Sequence, residues 1–266
     1  MSEALLLTGK RGQGKTLYAL ERIRRYMMAG RMVATNLDLN VDKIVGAFNT
    51  VRPYRLPDHP DERDFIGLPL GNPDPKNDRM NGLLVLDEAS TFLNSRSWDT
   101  NKKERLKVIG WLAQSRKFGW DLLMIAQHAN MIDSQIRESL FEHFGVCVNL
   151  QGMMIPFLTK FTGGVARFPK VHRVAIRLGF HPKAPLVEHD FFRGSDLFDC
   201  YDTLQVINPV VGVPSGSGYY YLSAFDLRGR FLSRWQRMKK NCYCGVCFCF
   251  CVWCFGFRSQ TFFKAC

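Results

Sequence analysis

The chain has 266 residues, 46% of them hydrophobic and 23% charged, which excludes both a disordered polymer and a small scaffold that needs disulfide or metal staples to fold. Its mean hydropathy of -0.13 excludes a polytopic membrane protein. The formal net charge of +12 is unevenly spread, because no acidic residue follows Asp226 while Lys and Arg continue to Lys264.

The opening residues carry no basic n-region before the short apolar run Ala4 to Leu7, so no cleavable signal peptide is expected. Ala4 to Thr8 reads as a strand, Lys15 to Met28 as an amphipathic helix and Met32 to Asn36 as a second strand. Val51 to Asn81 is rich in Pro and Asp and reads as a long surface loop or insertion. Leu83 to Leu86 is a strand, Glu104 to Phe118 a helix and Leu122 to Ala126 a strand. The strands are near-continuous apolar runs, which is what burial on both faces demands, and their alternation with helices predicts an α/β fold around a mainly parallel sheet. From about Gln151 the runs shorten, and small strands such as Val171 to Leu178 and Gly218 to Phe225 are expected to pack against the first part.

Between the first strand and the first helix lies Gly9-Lys10-Arg11-Gly12-Gln13-Gly14-Lys15-Thr16, a complete G-x-x-x-x-G-K-[ST] motif. Phosphate oxygens need a ring of backbone N–H donors at close range; Gly9, Gly12 and Gly14 let the chain bend around them, and the helix behind adds the positive end of its dipole. Lys15 is expected at the β and γ phosphates of ATP, and the Thr16 hydroxyl at Mg²⁺. The buried run Leu83 to Leu86 ends in Asp87-Glu88, which predicts Asp87 in the Mg²⁺ shell and Glu88 polarising the attacking water. The strand Leu122 to Ala126 ends in Gln127-His128, and Gln127 is the candidate sensor of the γ phosphate; His128 reads more simply as a capping or solvated residue. Arg137 and Arg116 are the candidates for an arginine supplied by a neighbouring subunit of a homo-oligomer, each competing with the plainer reading of a surface helix charge.

Cysteine is sparse until the end: Cys147 and Cys200 precede seven more from Cys242 to Cys266, and the bulk of the chain reads as reduced and cytosolic. Cys242 to Phe257 contains no charge or amide side chain and predicts a single transmembrane segment, 241–258, lengthened by snorkelling of Lys240 and Arg258. Six basic residues from Arg228 to Lys240 precede it, so the N-terminal part is expected in the cytoplasm. The Cys244/Cys247 and Cys251/Cys254 pairs have local zinc-ribbon spacing, but they stand too close together and the aromatic filler suits a bilayer better.

This order of parts, with Ala34-Thr35-Asn36 after the second strand and Gln114 to Asp121 before the Gln127 strand, resembles the zonular occludens toxin (Zot) family, which includes the filamentous-phage assembly ATPases. The resemblance spans about residues 1 to 200 and implies a P-loop ATPase domain there, followed by a basic juxtamembrane region at 201–240, the membrane segment and a short tail at 259–266. It further implies an inner-membrane protein that drives extrusion of single-stranded phage DNA while coat proteins assemble on it, with nucleotide roles for Gly9, Gly14, Lys15, Thr16, Asp87 and Glu88. Family members usually continue into a periplasmic region; only the eight residues 259–266 follow the segment here, so toxin activity is not expected and contact with an outer-membrane channel is left open. The competing functional readings are a DNA translocase or packaging ATPase, which shares the motif chemistry, and a nucleotide-switched scaffold without turnover, which has no need of Glu88.

Overall fold

The computed structural model describes residues 3–74, 76–93, 102–154, 167–180, 184–202, 205, 207, 214 and 216–228. The predicted membrane segment, its tail and the basic stretch from 229 lie outside the described residues. Among those described, no helix is long and apolar enough to cross a membrane.

The described residues form one nine-stranded sheet. Its centre is parallel: β1 (Ala4–Thr8) lies between β5 (Trp120–Ile125) and β6 (His143–Asn149), β5 pairs with β4 (Gly82–Leu86), and β2 (Val33–Thr35) joins β4 to β3 (Tyr54–Arg55). Every residue of β4 and β5 is buried, as their unbroken apolar runs require. Both flanks are antiparallel, with β7 (His172–Leu178) and β8 (Leu186–Phe192) beyond β6, and β9 (Tyr219–Tyr220) beyond β3.

One hydrophobic cluster lies on the face covered by α1 (Lys15–Met28), where Leu17, Leu20, Ile23 and Met27 meet Leu5, Leu7, Val85 and Leu123. The other face joins Leu6, Leu84 and Met124 to Val108 and Leu112 of the helix Lys102–Leu112. Alternate residues of one strand thus feed both cores.

Four expectations are corrected. Val51 to Asn81 is not a loose surface insertion: it contains β3 and the capped helix Glu62–Ile66, and it sends fully buried Leu56 and Phe65 into the second core. The segment after Gln151 is not a separate packing of small strands, because β7 and β8 prolong the same sheet through seven residue pairs between β6 and β7. The fold also runs past residue 200, since β9 pairs with β3 and the helix Ala224–Arg228 buries Ala224 and ties Arg228 to Asp42. The helix expected over Glu104 to Phe118 ends at Leu112, after which Ser115–Phe118 tightens into a 3-10 turn closed by Gly119 at φ 75°.

Candidate functional site

The motif of Gly9 to Thr16 joins the buried end of β1 to the first turn of α1. Gly14 is the residue before the helix, at φ 92°; no side chain caps the first turn and no acidic residue stands in it. Helix-initial N–H groups have no intrahelical acceptor, so this turn is left with donors for an anion. The glycines are structurally required. A Cβ on Gly14 would come within 2.5 Å of His172 Nδ1, and one on Gly9, at φ 153°, within 2.8 Å of the Cys147 carbonyl.

The loop is held from β6 and β7. The Gln13 carbonyl accepts from the Cys147 thiol at 3.0 Å and from His172 Nδ1 at 2.9 Å, and the Gln13 side chain accepts from the Asn149 N–H at 2.7 Å. His172 is stacked against Phe192, with ring centroids 5.2 Å apart. Burial pushes the Cys147 thiol up to about 12, so it serves as a neutral donor. The Lys15 ammonium is folded onto the loop, donating to the carbonyls of Gly9 at 2.8 Å and Lys10 at 3.2 Å.

The carboxylates stand beside it. The Thr16 hydroxyl donates to Asp87 at 3.1 Å, which joins the end of β4 to the start of α1. Burial pushes the Asp87 carboxyl up to about 6, with the charge of Glu88 acting in the same direction and the Glu88 N–H and Thr16 hydroxyl against it. A cation beside so buried a carboxyl would favour its ionised form. A hydroxyl next to a carboxylate is also the hard-oxygen pair that suits Mg²⁺, an ion that takes few protein ligands and completes its shell with water and phosphate.

Glu88 is the single non-glycine residue with positive φ among those described, at 51°. Its neighbours explain why. Asp87 is clamped by the Asn36 side chain, which accepts from the Asp87 N–H at 2.8 Å and donates to its carbonyl at 3.1 Å, while the Ala89 N–H donates to Ile125 of β5 at 2.9 Å. The turn between two pinned residues leaves Glu88 in the left-handed region, which costs about 1–3 kcal/mol and recurs at active sites. There its carboxylate accepts from the Gln127 amide at 3.2 Å.

The structure therefore brings together Gly9, Gly12, Gly14, Lys15, Thr16, Asp87, Glu88 and Gln127. The arginine candidates stand in local contacts. Arg137 donates to the Ala129 carbonyl at 3.0 Å and lies over the Phe180 ring at 5.1 Å, and Arg116 pairs with Asp78 at 2.9 Å. His128 is a cap, its Nδ1 accepting from the Asn130 N–H at 3.3 Å. Asn36, Gln13 and His172 are the residues for which motif reasoning provided no role.

A family model described as zonular occludens toxin (Zot) matches residues 4–183. The chain belongs to the Zot family. It is 37% identical over 243 residues to the Gene 1 protein of Enterobacteria phage M13, covering 88% of this chain and 68% of that one. Against the Gene 1 protein of Escherichia phage If1 it is 38% identical, over 85% of this chain and 64% of that one. Among solved structures it is similar to the N-terminal domain of zonular occludens toxin from Neisseria meningitidis, at 16% identity, over 76% of this chain and 100% of that one, with a TM-score of 0.39. It is also similar to the B204 DNA-packaging ATPase of Sulfolobus turreted icosahedral virus, at 13% identity, over 67% of this chain and 98% of that one, with a TM-score of 0.35.

Proposed function

We propose that this Zot-family chain is a membrane-anchored ATP hydrolase that powers assembly and extrusion of filamentous phage virions, moving single-stranded DNA through the host inner membrane. The observation that carries the hydrolase reading is Glu88: a carboxylate held by Gln127 on a strained turn, one residue from the Asp87 that is bonded to Thr16. A protein that uses nucleotide only as a switch has no need of such a base.

In this reading the N–H groups of Gly12 to Thr16 bind the β and γ phosphates, and Lys15 exchanges its loop carbonyls for phosphate oxygens. Thr16 and Asp87 hold Mg²⁺, which offsets phosphate charge when bound. Glu88 takes a proton from the water that attacks the γ phosphorus as the bond to the β-phosphate oxygen breaks. Gln127 fixes the orientation of Glu88. Arg137 is the candidate for an arginine acting in trans within a homo-oligomer, and it has to leave the Ala129 carbonyl to do so.

The phage role is supported by family membership and by the phage proteins to which the chain is similar. Residues 241–258 would anchor it, with the basic flank on the cytoplasmic side and single-stranded DNA and coat proteins as partners. The test is ATP turnover by the full chain with and without single-stranded DNA, beside Lys15→Ala and Glu88→Gln. Loss of turnover in both variants, with nucleotide binding retained only by Glu88→Gln, supports the reading; full turnover by either refutes it.

A further inference from the structure

The phosphate loop and the two carboxylates can recognise only the triphosphate half of a nucleotide. Next to them lies a cavity of about 320 Å³, in the size range of small-molecule sites. Gly12, Gly14, Thr16 and Leu17 line one side, so a ligand bound by its β and γ phosphates has its nucleoside within reach of this space.

Further lining comes from a strap, residues 193–202, that leaves β8, packs on α1 and ends against Leu39 and Asn40, beyond β2. It is fixed along its path. Gly194 sits so close to α1 that a Cβ would lie 2.6 Å from Leu17 Cδ1; Asp196 pairs with Arg24 at 2.5 Å; and the Cys200 carbonyl accepts from the Asn40 N–H at 2.8 Å before Tyr201 bridges to Leu39. Leu197, before the 3-10 turn Phe198–Cys200, and Cys200 at its end are almost completely buried, while Phe198 is 53% exposed and lines the cavity. Phe198 belongs to neither hydrophobic cluster. The third side, from the ends of β6 and β7, is polar and includes Gln151 and Lys170.

An exposed aromatic ring on a fixed strap, lining the same space as polar groups beside a phosphate loop, has the chemistry of a nucleobase seat: a face for stacking and hydrogen-bond partners for the ring edge or ribose. We infer that this cavity seats the nucleoside of the bound nucleotide, with its base stacked on Phe198 and its polar edge toward Gln151 and Lys170. The inference rests on the nucleotide-binding reading above and adds the part of the ligand which that reading leaves unassigned.

The test is calorimetric titration of the full chain with ATP and, separately, with inorganic tripolyphosphate, both with Mg²⁺. It compares the wild type with Phe198→Ala, Phe198→Trp and Lys15→Ala. Phe198→Ala is expected to weaken ATP about tenfold and leave tripolyphosphate unchanged, as loss of one stacking partner does. Phe198→Trp restores ATP affinity, and Lys15→Ala loses both ligands. Unchanged ATP affinity in Phe198→Ala, or equal loss of ATP and tripolyphosphate, overturns the seat while leaving the phosphate site standing. A wild type that binds neither ligand overturns the nucleotide reading and the seat with it.

Discussion

The Gln127 amide donates to the Glu88 carboxylate at 3.2 Å, linking the C-terminal ends of two neighbouring parallel strands, β5 and β4. Glu88 is thereby aimed by a group on another strand. If that contact orients a general base, Gln127→Ala will lower kcat by about tenfold to a hundredfold, less than the ~10²–10⁴-fold of a general base itself because Glu88 remains, and change nucleotide affinity little. Steady-state turnover together with equilibrium nucleotide binding checks this. An affinity loss as large as the turnover loss would instead give Gln127 a role in binding phosphate.

The turn that carries Glu88 predicts a conflict between stability and activity. At φ 51° a residue with a Cβ is strained and glycine is not, so Glu88→Gly should stabilise the fold by about 1 kcal/mol and raise Tm by a few degrees. The same change removes the proposed base and should abolish turnover. A thermal melt of the two proteins decides the first half; a lower Tm would mean that the Glu88 contacts outweigh its backbone strain.

The residues this site brings together were legible in the sequence where they depend on local pattern. Gly9 to Thr16 is contiguous, and Asp87-Glu88 follows a run too apolar to be anything but a buried strand. The supports were not legible. Asn36 and Asp87 are 51 residues apart, Gln13 and His172 are 159 apart, and a hydrogen bond to a backbone carbonyl leaves no mark on its acceptor's side chain. The central strands were legible by the same rule, being apolar on both faces. β8 was not, because as an edge strand it exposes Leu186, Val187 and Phe191 and lacks that signature. Polar Asn36 ended a predicted strand without announcing that its amide would close around Asp87.

The contact between Gly14 and His172 predicts a variant with two separable defects. Gly14→Ala places a Cβ 2.5 Å from the imidazole and forces alanine to φ 92°. It should lose nucleotide binding and be destabilised by several kcal/mol through overpacking and backbone strain together. Adding His172→Ala removes the clash but not the strain, so the double variant should regain part of the stability and little of the binding. Denaturant unfolding and nucleotide titration on both proteins check this; full recovery in the double variant would show that the left-handed turn at Gly14 contributes nothing.

Alkaline pH should loosen the fold through its buried weak acids. The Tyr26 hydroxyl donates to Asp121 at 2.6 Å, with the Arg31 guanidinium over its ring at 3.7 Å, and burial first, then the Asp121 charge, pushes the phenol up to about 12. The Cys147 thiol is also pushed up to about 12 by burial. Both groups hold their protons more tightly when folded than when unfolded, where they titrate near 10 and 9. The unfolded chain therefore binds fewer protons in this range; their stabilising contribution is complete below about pH 9 and is lost as pH rises towards 12. Tyr26→Phe should cost about 1.5–3 kcal/mol at pH 7, as expected for a hydrogen bond to a charged acceptor, and its deficit relative to the wild type should shrink as pH climbs above 10. Urea unfolding of both proteins from pH 7 to pH 11 provides the measurement. A deficit that stays constant across that interval would mean that the Tyr26 phenol titrates alike in the folded and unfolded chains, and the network with Asp121 and Arg31 would then have no part in the alkaline limit of the fold.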